Sequence, residues 1–116
     1  MVQAVLVTGG AGYIGAHACK ALRQAGYLPV SFDNLSLGRA DFVRWGPLIH
    51  SDVRDTEAVR AALTRCKPIA VLHFAALIEV GESGKAPGRF YENNVAGAIT
   101  LIEAARRGGV ECMVFS

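Results

Sequence analysis

Apolar residues along this chain keep two rhythms, short unbroken runs and longer stretches at helical spacing, and their alternation predicts the elements. Ala4-Val5-Leu6-Val7 shows no polar alternation, which fits a strand covered on both faces, as in a parallel sheet. From 13 to 25 the residues Ile14, Ala18, Ala21, Leu22 and Ala25 recur at helical spacing, and Gly26 follows where a left-handed cap belongs. Leu28-Pro29-Val30-Ser31-Phe32 predicts a second strand, with Pro29 near its start, where the missing donor costs least. Asn34 to Gly46 is a polar, glycine-containing loop and 48–50 a brief third strand. Asp55 is placed to cap a helix carrying Val59, Ala62, Leu63 and Cys66 on one face. Ala70-Val71-Leu72-His73-Phe74 repeats the buried-strand pattern. Beyond a loop through Gly88, a helical stripe of Tyr91, Asn94, Val95, Ala98, Leu101, Ile102 and Ala105 is closed by Gly108-Gly109, and 112–115 is a fifth strand.

This order predicts a doubly wound α/β fold with a parallel sheet, one unit over 1–116, in which strands 2 and 3 are joined by loop or a short helix. The chain ends on the fifth strand, so the expected fold is truncated there, with an apolar strand left as an uncovered sheet edge. Composition agrees with a packed domain: 52% of the residues are hydrophobic and 19% charged. The net charge of +2 comes from scattered residues without a basic stripe, which argues against nucleic acid as a partner. No apolar run reaches the roughly 18 residues of a membrane span, and no basic leader precedes the first strand, so a soluble cytoplasmic protein is expected. Cys19, Cys66 and Cys112 are odd in number and embedded in apolar segments, which reads as buried free thiols rather than a metal or redox site.

Candidate chemistry begins directly after the first strand. Thr8-Gly9-Gly10-Ala11-Gly12-Tyr13-Ile14-Gly15 contains Gly10-x-Gly12-x-x-Gly15 and also Gly9-x-x-Gly12-x-x-Gly15. A glycine pattern alone is weak, but this one leaves a buried strand and opens an amphipathic helix, the context of a dinucleotide site. The first glycines allow the sharp turn, Gly12 lets a pyrophosphate approach the backbone, and Gly15 lets the helix pack close to the strand. The helix end supplies amides and positive charge for the phosphates. Asp33 ends the second strand 18 positions beyond Gly15, near the roughly 20 expected of a ribose-binding acid. A carboxylate there accepts ribose hydroxyls and repels a 2′-phosphate, which favours NAD over NADP. Arg39 could meet a phosphate, but a solvated loop residue is the plainer reading.

Asp52 either accepts from the adenine amino group or caps the following helix. Asp55 is better placed to cap, which leaves Asp52 to the cofactor. One of Asn93 and Asn94 is expected to face the cofactor cleft, while the other satisfies backbone. His73, inside a strand, reads as a hydrogen-bonded core histidine rather than a base, and no metal site is expected from His17 or His50.

Taken together, Val7 to Gly15, Asp33-Asn34-Leu35, Asp52-Val53-Arg54, His73-Phe74-Ala75-Ala76, Val80-Gly81-Glu82-Ser83 and Tyr91-Glu92-Asn93-Asn94-Val95 resemble the extended short-chain dehydrogenase/reductases, in particular their nucleotide-sugar 4-epimerases. The resemblance covers the whole chain but about the first third of such an enzyme. It implies a Rossmann-type fold and NAD contacts at Tyr13 and Ile14, at Asp33, Asn34, Ser36 and Gly38, at Asp52 and Val53, at Phe74, Ala75, Ala76 and Ile78, and at Asn93. One departure stands out: where the family usually carries a lysine near the phosphates, this chain has Ile78 followed by Glu79. The implied activity interconverts UDP-glucose and UDP-galactose through a 4-keto intermediate, with a UDP-sugar substrate and a homodimer as the full-length assembly. The family's base is a tyrosine in Tyr-x-x-x-Lys, whereas Tyr13, Tyr27 and Tyr91 are followed four positions on by His17, Ser31 and Val95. No catalytic residue is therefore expected in these 116 residues, and the chain by itself is expected to be inactive. A self-contained NAD-binding module, or part of a nucleotide-sugar dehydratase or reductase, are the alternatives.

Overall fold

Parallel strands in the order β3-β2-β1-β4-β5 form the sheet of the computed structural model, which describes residues 2–36, 38–74, 98–99 and 101–115. The strands are β1 (Ala4–Thr8), β2 (Leu28–Asp33), β3 (Leu48–His50), β4 (Ala70–His73) and β5 (Cys112–Phe115), and helix α1 (Tyr13–Gln24) and helix α2 (Thr56–Cys66) connect them. The chain runs outward from β1 through β2 to β3, then returns to β4 on the other side of β1. That reversal is the topological switch point of a doubly wound sheet, where a crevice opens beyond the strand ends.

The unbroken apolar runs are explained by cover on both faces. Every residue of β1 is buried. Its even members Ala4 and Leu6 join Val30, Phe32 and Val71 beneath α2 and the helical residues 101–107, through Val59, Ala62, Leu63, Leu101 and Ala104. Its odd members Val5 and Val7 join Cys19 and Leu22 of α1, with Trp45 and Leu72 alongside. Alternate side chains of a strand point to opposite faces, so one run serves two cores. Pro29 fits inside β2 because the neighbouring donor, Ser31, is the first to reach the third-strand segment, at the Pro47 carbonyl (2.9 Å). Pro29 lies before that pairing begins, so its missing donor leaves no rung unmade.

Both glycine helix ends are built as expected. After α1, Tyr27 donates to the Leu22 carbonyl (3.0 Å) and Gly26, at φ +93°, donates to that of Arg23 (3.1 Å). Val110 and Gly109 repeat the same two bonds to Ala105 and Arg106 (3.1 and 3.3 Å). These crossed bonds satisfy the last carbonyls of a helix and need a left-handed residue at the crossing. Helix α2 is capped by Asp55, whose carboxylate accepts from the Ala58 amide at 3.2 Å, and it ends at Lys67 just before Pro68.

Helix α2 buries Val59, Ala62 and Leu63 as its stripe predicts, whereas α1 and the helical residues 101–107 depart in part from theirs. Ile14 is exposed, as are Ala21 and Ala25, while Gly15 and Cys19 are the buried residues of α1. A glycine carries no hydrophobic weight, so apolarity alone rotated the stripe away from the face where the helix comes closest to its neighbours. Ile102 is likewise exposed; Leu101 and Ala105 of the same stripe are buried as expected, and Ala104 joins them. The cysteines are all free thiols, but only Cys19 is buried; Cys66 is half-buried and Cys112 exposed, because β5 has a partner strand on one side only among the described residues. Ser31 lies 3.6 Å from the Cys19 sulfur, and burial pushes that thiol up from its ordinary value. Among the described residues no helix is long and apolar enough to cross a membrane.

Thr8, His73 and Phe115 share one row across β1, β4 and β5. Thr8 and His73 are buried, with Thr8 Oγ1 at 2.6 Å from His73 Nδ1, and the His73 ring meets Phe115 edge-on at 5.5 Å. The Phe74 amide donates to the Thr8 hydroxyl oxygen at 3.1 Å and to the Thr8 carbonyl at 2.9 Å, so Thr8 ties the end of β4 to β1 through both its side chain and its backbone. Burial lowers the His73 pKa, which favours the neutral ring. His73 is thus the core histidine expected from its place in a strand.

Two outcomes follow from this packing. Asp55→Ala is expected to lower stability by about 1 kcal/mol in urea unfolding, whereas Asp55→Asn keeps most of the cap. Because the folded pKa of His73 lies below the ordinary value near 6.5, the unfolded chain binds the proton more readily, so stability present above about pH 6.5 falls as the pH drops below it. His73→Asn keeps an acceptor toward Thr8 without the titration, so its stability should depend less on pH in that window; equal slopes for both proteins would count against this role.

Candidate dinucleotide site

The glycine loop sits at the switch point, at the carboxyl end of β1. It is pinned at its start by Gly9, whose amide donates to the Phe32 carbonyl at 2.8 Å and whose φ is +74°. A side chain at Gly15 would strike the Gly9 carbonyl and the Gly10 Cα, so the first turn of α1 folds tightly back on the loop. The close approach expected between Gly15 and the strand is therefore made against Gly9 and Gly10. It is Gly10 that lies against β2, where a Cβ would collide with the Ser31 side chain.

Helix α1 begins with Gly12 as its N-cap, without a capping side chain and without an acid in its first turn. The amides of a first turn have no intrahelical acceptor and carry the positive end of the helix, so this end is suited to an anion. Tyr13 and Ile14 stand exposed beside it, 70% and 54% accessible. The donor set and the backbone-lined cradle fit a pyrophosphate.

Asp33 lies at the end of β2, buried to 7% accessibility. One carboxylate oxygen accepts from the Ala11 amide at 3.0 Å and the other from the Leu35 amide at 2.8 Å. Each oxygen keeps a second lone pair, which leaves the group able to accept from a diol. The loop after β2 closes over the glycine loop: the Arg39 amide donates to the Ala11 carbonyl at 3.0 Å, and a Cβ on Gly38 would come within 2.9 Å of both Ala11 and the Asp33 carboxylate. Gly38, expected at the cofactor, is here the residue whose small size lets the two loops touch. Leu35 takes up φ +62°, a conformation that favours glycine, and Asn34 accepts from the Ser36 amide at 2.9 Å across this turn.

Asp52 is more committed than its sequence position suggests. It accepts from the amide, Nε and a terminal nitrogen of Arg54 (2.8, 3.1 and 3.0 Å) and from Asn34 Nδ2 (2.9 Å). Mainly through Arg54, the carboxyl is held well below the usual carboxylate range. These donors fill about four lone-pair positions, so an adenine amino group reaches Asp52 only where one of them lets go. Val53, also expected at the cofactor, has its side chain in the core beneath α2, 5% accessible. Phe74 is half-buried and packs with Val5 and Val7 on the α1 side. Ala75, Ala76, Ile78 and Asn93, with Asn94, lie outside the described residues.

Sequence reasoning missed three contributors: the Ala11 backbone, which binds through both its amide and its carbonyl; Ser31, which backs Gly10; and Arg54, which with Asn34 saturates Asp52. Only Arg54 left a signal, an arginine two positions after a carboxylate in a turn.

Comparison with known proteins places this geometry. The chain is 56% identical over 114 residues to a UDP-glucose 4-epimerase of Rhizobium leguminosarum bv. trifolii, covering 98% of this chain and 35% of that protein. It is 42% identical to the UDP-glucose 4-epimerase of Bacillus subtilis, of which it covers 36%. Among solved structures, UDP-glucose 4-epimerase from Brucella ovis in complex with NAD superposes with a TM-score of 0.94 at 42% identity, over 98% of this chain and 35% of that one. The Thermus thermophilus enzyme complexed with NAD gives 0.93 at 39% identity, over 97% and 37%. The chain thus spans about a third of the length of the relatives it matches. The family model for NAD dependent epimerases and dehydratases matches residues 5–116, nearly the full chain, and on that match the protein belongs to the NAD dependent epimerase/dehydratase family.

Proposed function

We propose that this chain holds NAD and forms the cofactor-binding part of a UDP-glucose 4-epimerase, which interconverts UDP-glucose and UDP-galactose. The observation that carries the reading is the buried Asp33 carboxylate, set by two backbone amides beside the glycine loop at the switch point. In this reading the first-turn amides of α1, with Gly9, Gly10, Gly12, Tyr13, Ile14 and Gly15 around them, hold the pyrophosphate. Asp33 accepts the adenosine ribose hydroxyls, with Asn34, Ser36 and Gly38 shaping that side. Asp52 and Val53 border the adenine, and Phe74, Ala75, Ala76, Ile78 and Asn93 complete the contacts.

NAD, when bound, supplies the acceptor and later the donor of a hydride at carbon 4 of the sugar. The chain's own part is to bind and orient it. A UDP-sugar substrate and a homodimer belong to the proposal for the longer enzyme, as does a Tyr-x-x-x-Lys base, which none of Tyr13, Tyr27 and Tyr91 provides.

In titration calorimetry the chain is expected to bind NAD in preference to NADP. Asp33→Asn should weaken NAD by roughly tenfold to a hundredfold, the worth of a hydrogen bond to a charged group, and narrow the preference. Absence of any NAD binding by the folded chain would end this reading. In a coupled assay on UDP-galactose the chain alone should show no turnover, whereas a polypeptide that continues through a downstream Tyr-x-x-x-Lys should convert it. Turnover by the 116 residues themselves would place a base that the sequence does not contain.

A further inference from the structure

Arg39 and Asp33 are bound by the same residue, Ala11. The Ala11 amide donates to Asp33 and the Ala11 carbonyl accepts from the Arg39 amide, both at 3.0 Å, so the Arg39 backbone is linked to the carboxylate through one residue. An arginine rooted there has the planar fork that suits a phosphate. Its side chain is turned to another partner. Nε and a terminal nitrogen donate to the two oxygens of Asp41, at 3.0 and 2.9 Å, and the guanidinium lies 5.3 Å from the centre of the Phe42 ring.

The backbone arranges this hold. The Phe42 amide donates to the Arg39 carbonyl at 3.0 Å, closing the short 3₁₀ turn Ala40–Phe42 that brings Asp41 and Phe42 around the Arg39 side chain. The Asp41 carbonyl also accepts from Arg44 Nε at 3.0 Å, so one residue engages both arginines of the loop.

Resting on the reading that Asp33 meets the adenosine ribose, we propose that Asp41 is a specificity-determining residue: it holds the Arg39 guanidinium away from the ribose and so denies a 2′-phosphate its counter-charge. Asp33 then discriminates by repulsion and Asp41 by withholding attraction. Selectivity built from both elements is a general device, since rejecting a competitor often needs an element set against it.

The test compares NAD and NADP dissociation constants at low ionic strength, where exposed charges are least screened, for the unmodified chain, Asp41→Ala, Asp41→Asn, and Asp41→Ala combined with Arg39→Ala. Release of Arg39 should tighten NADP by about fivefold, the upper worth of an exposed ion pair, and leave NAD unchanged. Asp41→Asn should act in the same direction, and the added Arg39→Ala should cancel the gain. An unchanged NADP to NAD ratio, or a gain that survives loss of Arg39, overturns the assignment while the NAD reading stands. If the unmodified chain binds neither nucleotide, the reading of Asp33 fails and this inference with it.

Discussion

The site depends on one buried hydrogen bond, from the Ala11 amide to the Asp33 carboxylate. It joins the loop after β1 to the end of β2, two segments that the sheet places side by side but does not by itself hold in register beyond the last strand residues. A hydrogen bond to a charged acceptor contributes roughly 1.5–3 kcal/mol, enough to fix a loop that otherwise rests on glycines. The carbonyl of the same residue accepts from Arg39, so the loop after β2 closes down on the glycine loop. Gly38 permits that closure and Gly15 the equivalent one from α1, and a methyl group at either would push the partners apart.

Behind the loops, the sheet supplies rigidity because its central strands are covered twice. Leu6 and Phe32 face one core and Val7 the other, so the ends of β1 and β2 have no solvent-facing side on which to slip. The row of Thr8, His73 and Phe115 continues this constraint across β4 and β5 with a polar bond in place of a methyl contact. A neutral His73 costs less to bury than an ionised one, and the Thr8 hydroxyl gives its Nδ1 a partner. The row therefore positions the start of the segment after β4 without adding a charge beneath the crevice.

Much of this was legible in the sequence because it rests on local chemistry. Continuous apolar runs fix doubly covered strands, Gly26 and Gly109 fix helix ends, and Asp55 fixes a start, each through a backbone requirement that few residues meet. Asp33 was legible by its distance from the glycines. What escaped depends on packing between elements. The buried face of α1 is set by Gly15, which no hydrophobic scale weights, and the exposure of Ile102 follows from which side of its helix meets α2. Val53 was read from its motif as a cofactor residue, and its side chain fills the core, which leaves only its backbone to face a ligand. Asp52 looked available; Arg54, two positions on, engages it within the turn, and Asn34 reaches it only when β2 and β3 lie side by side.

Three carboxylates lie in or after β2 and β3, Asp33 at the end of β2, Asp41 in the turn that follows and Asp52 after β3, and they are treated differently. Asp41 carries Arg39 and Asp52 carries Arg54, each by a two-point fork. Asp33, among the described residues, is met by backbone amides alone. The difference is chemical as well as geometric. A guanidinium takes both oxygens of a carboxylate and cancels its charge, whereas two amides orient the group and leave it anionic with lone pairs to spare. A carboxylate that must accept from hydroxyls and repel a phosphate needs the second arrangement. Arg39 and Arg54 are each forked to another acid, and no side chain among the described residues engages Asp33, so its charge remains for a ligand to read.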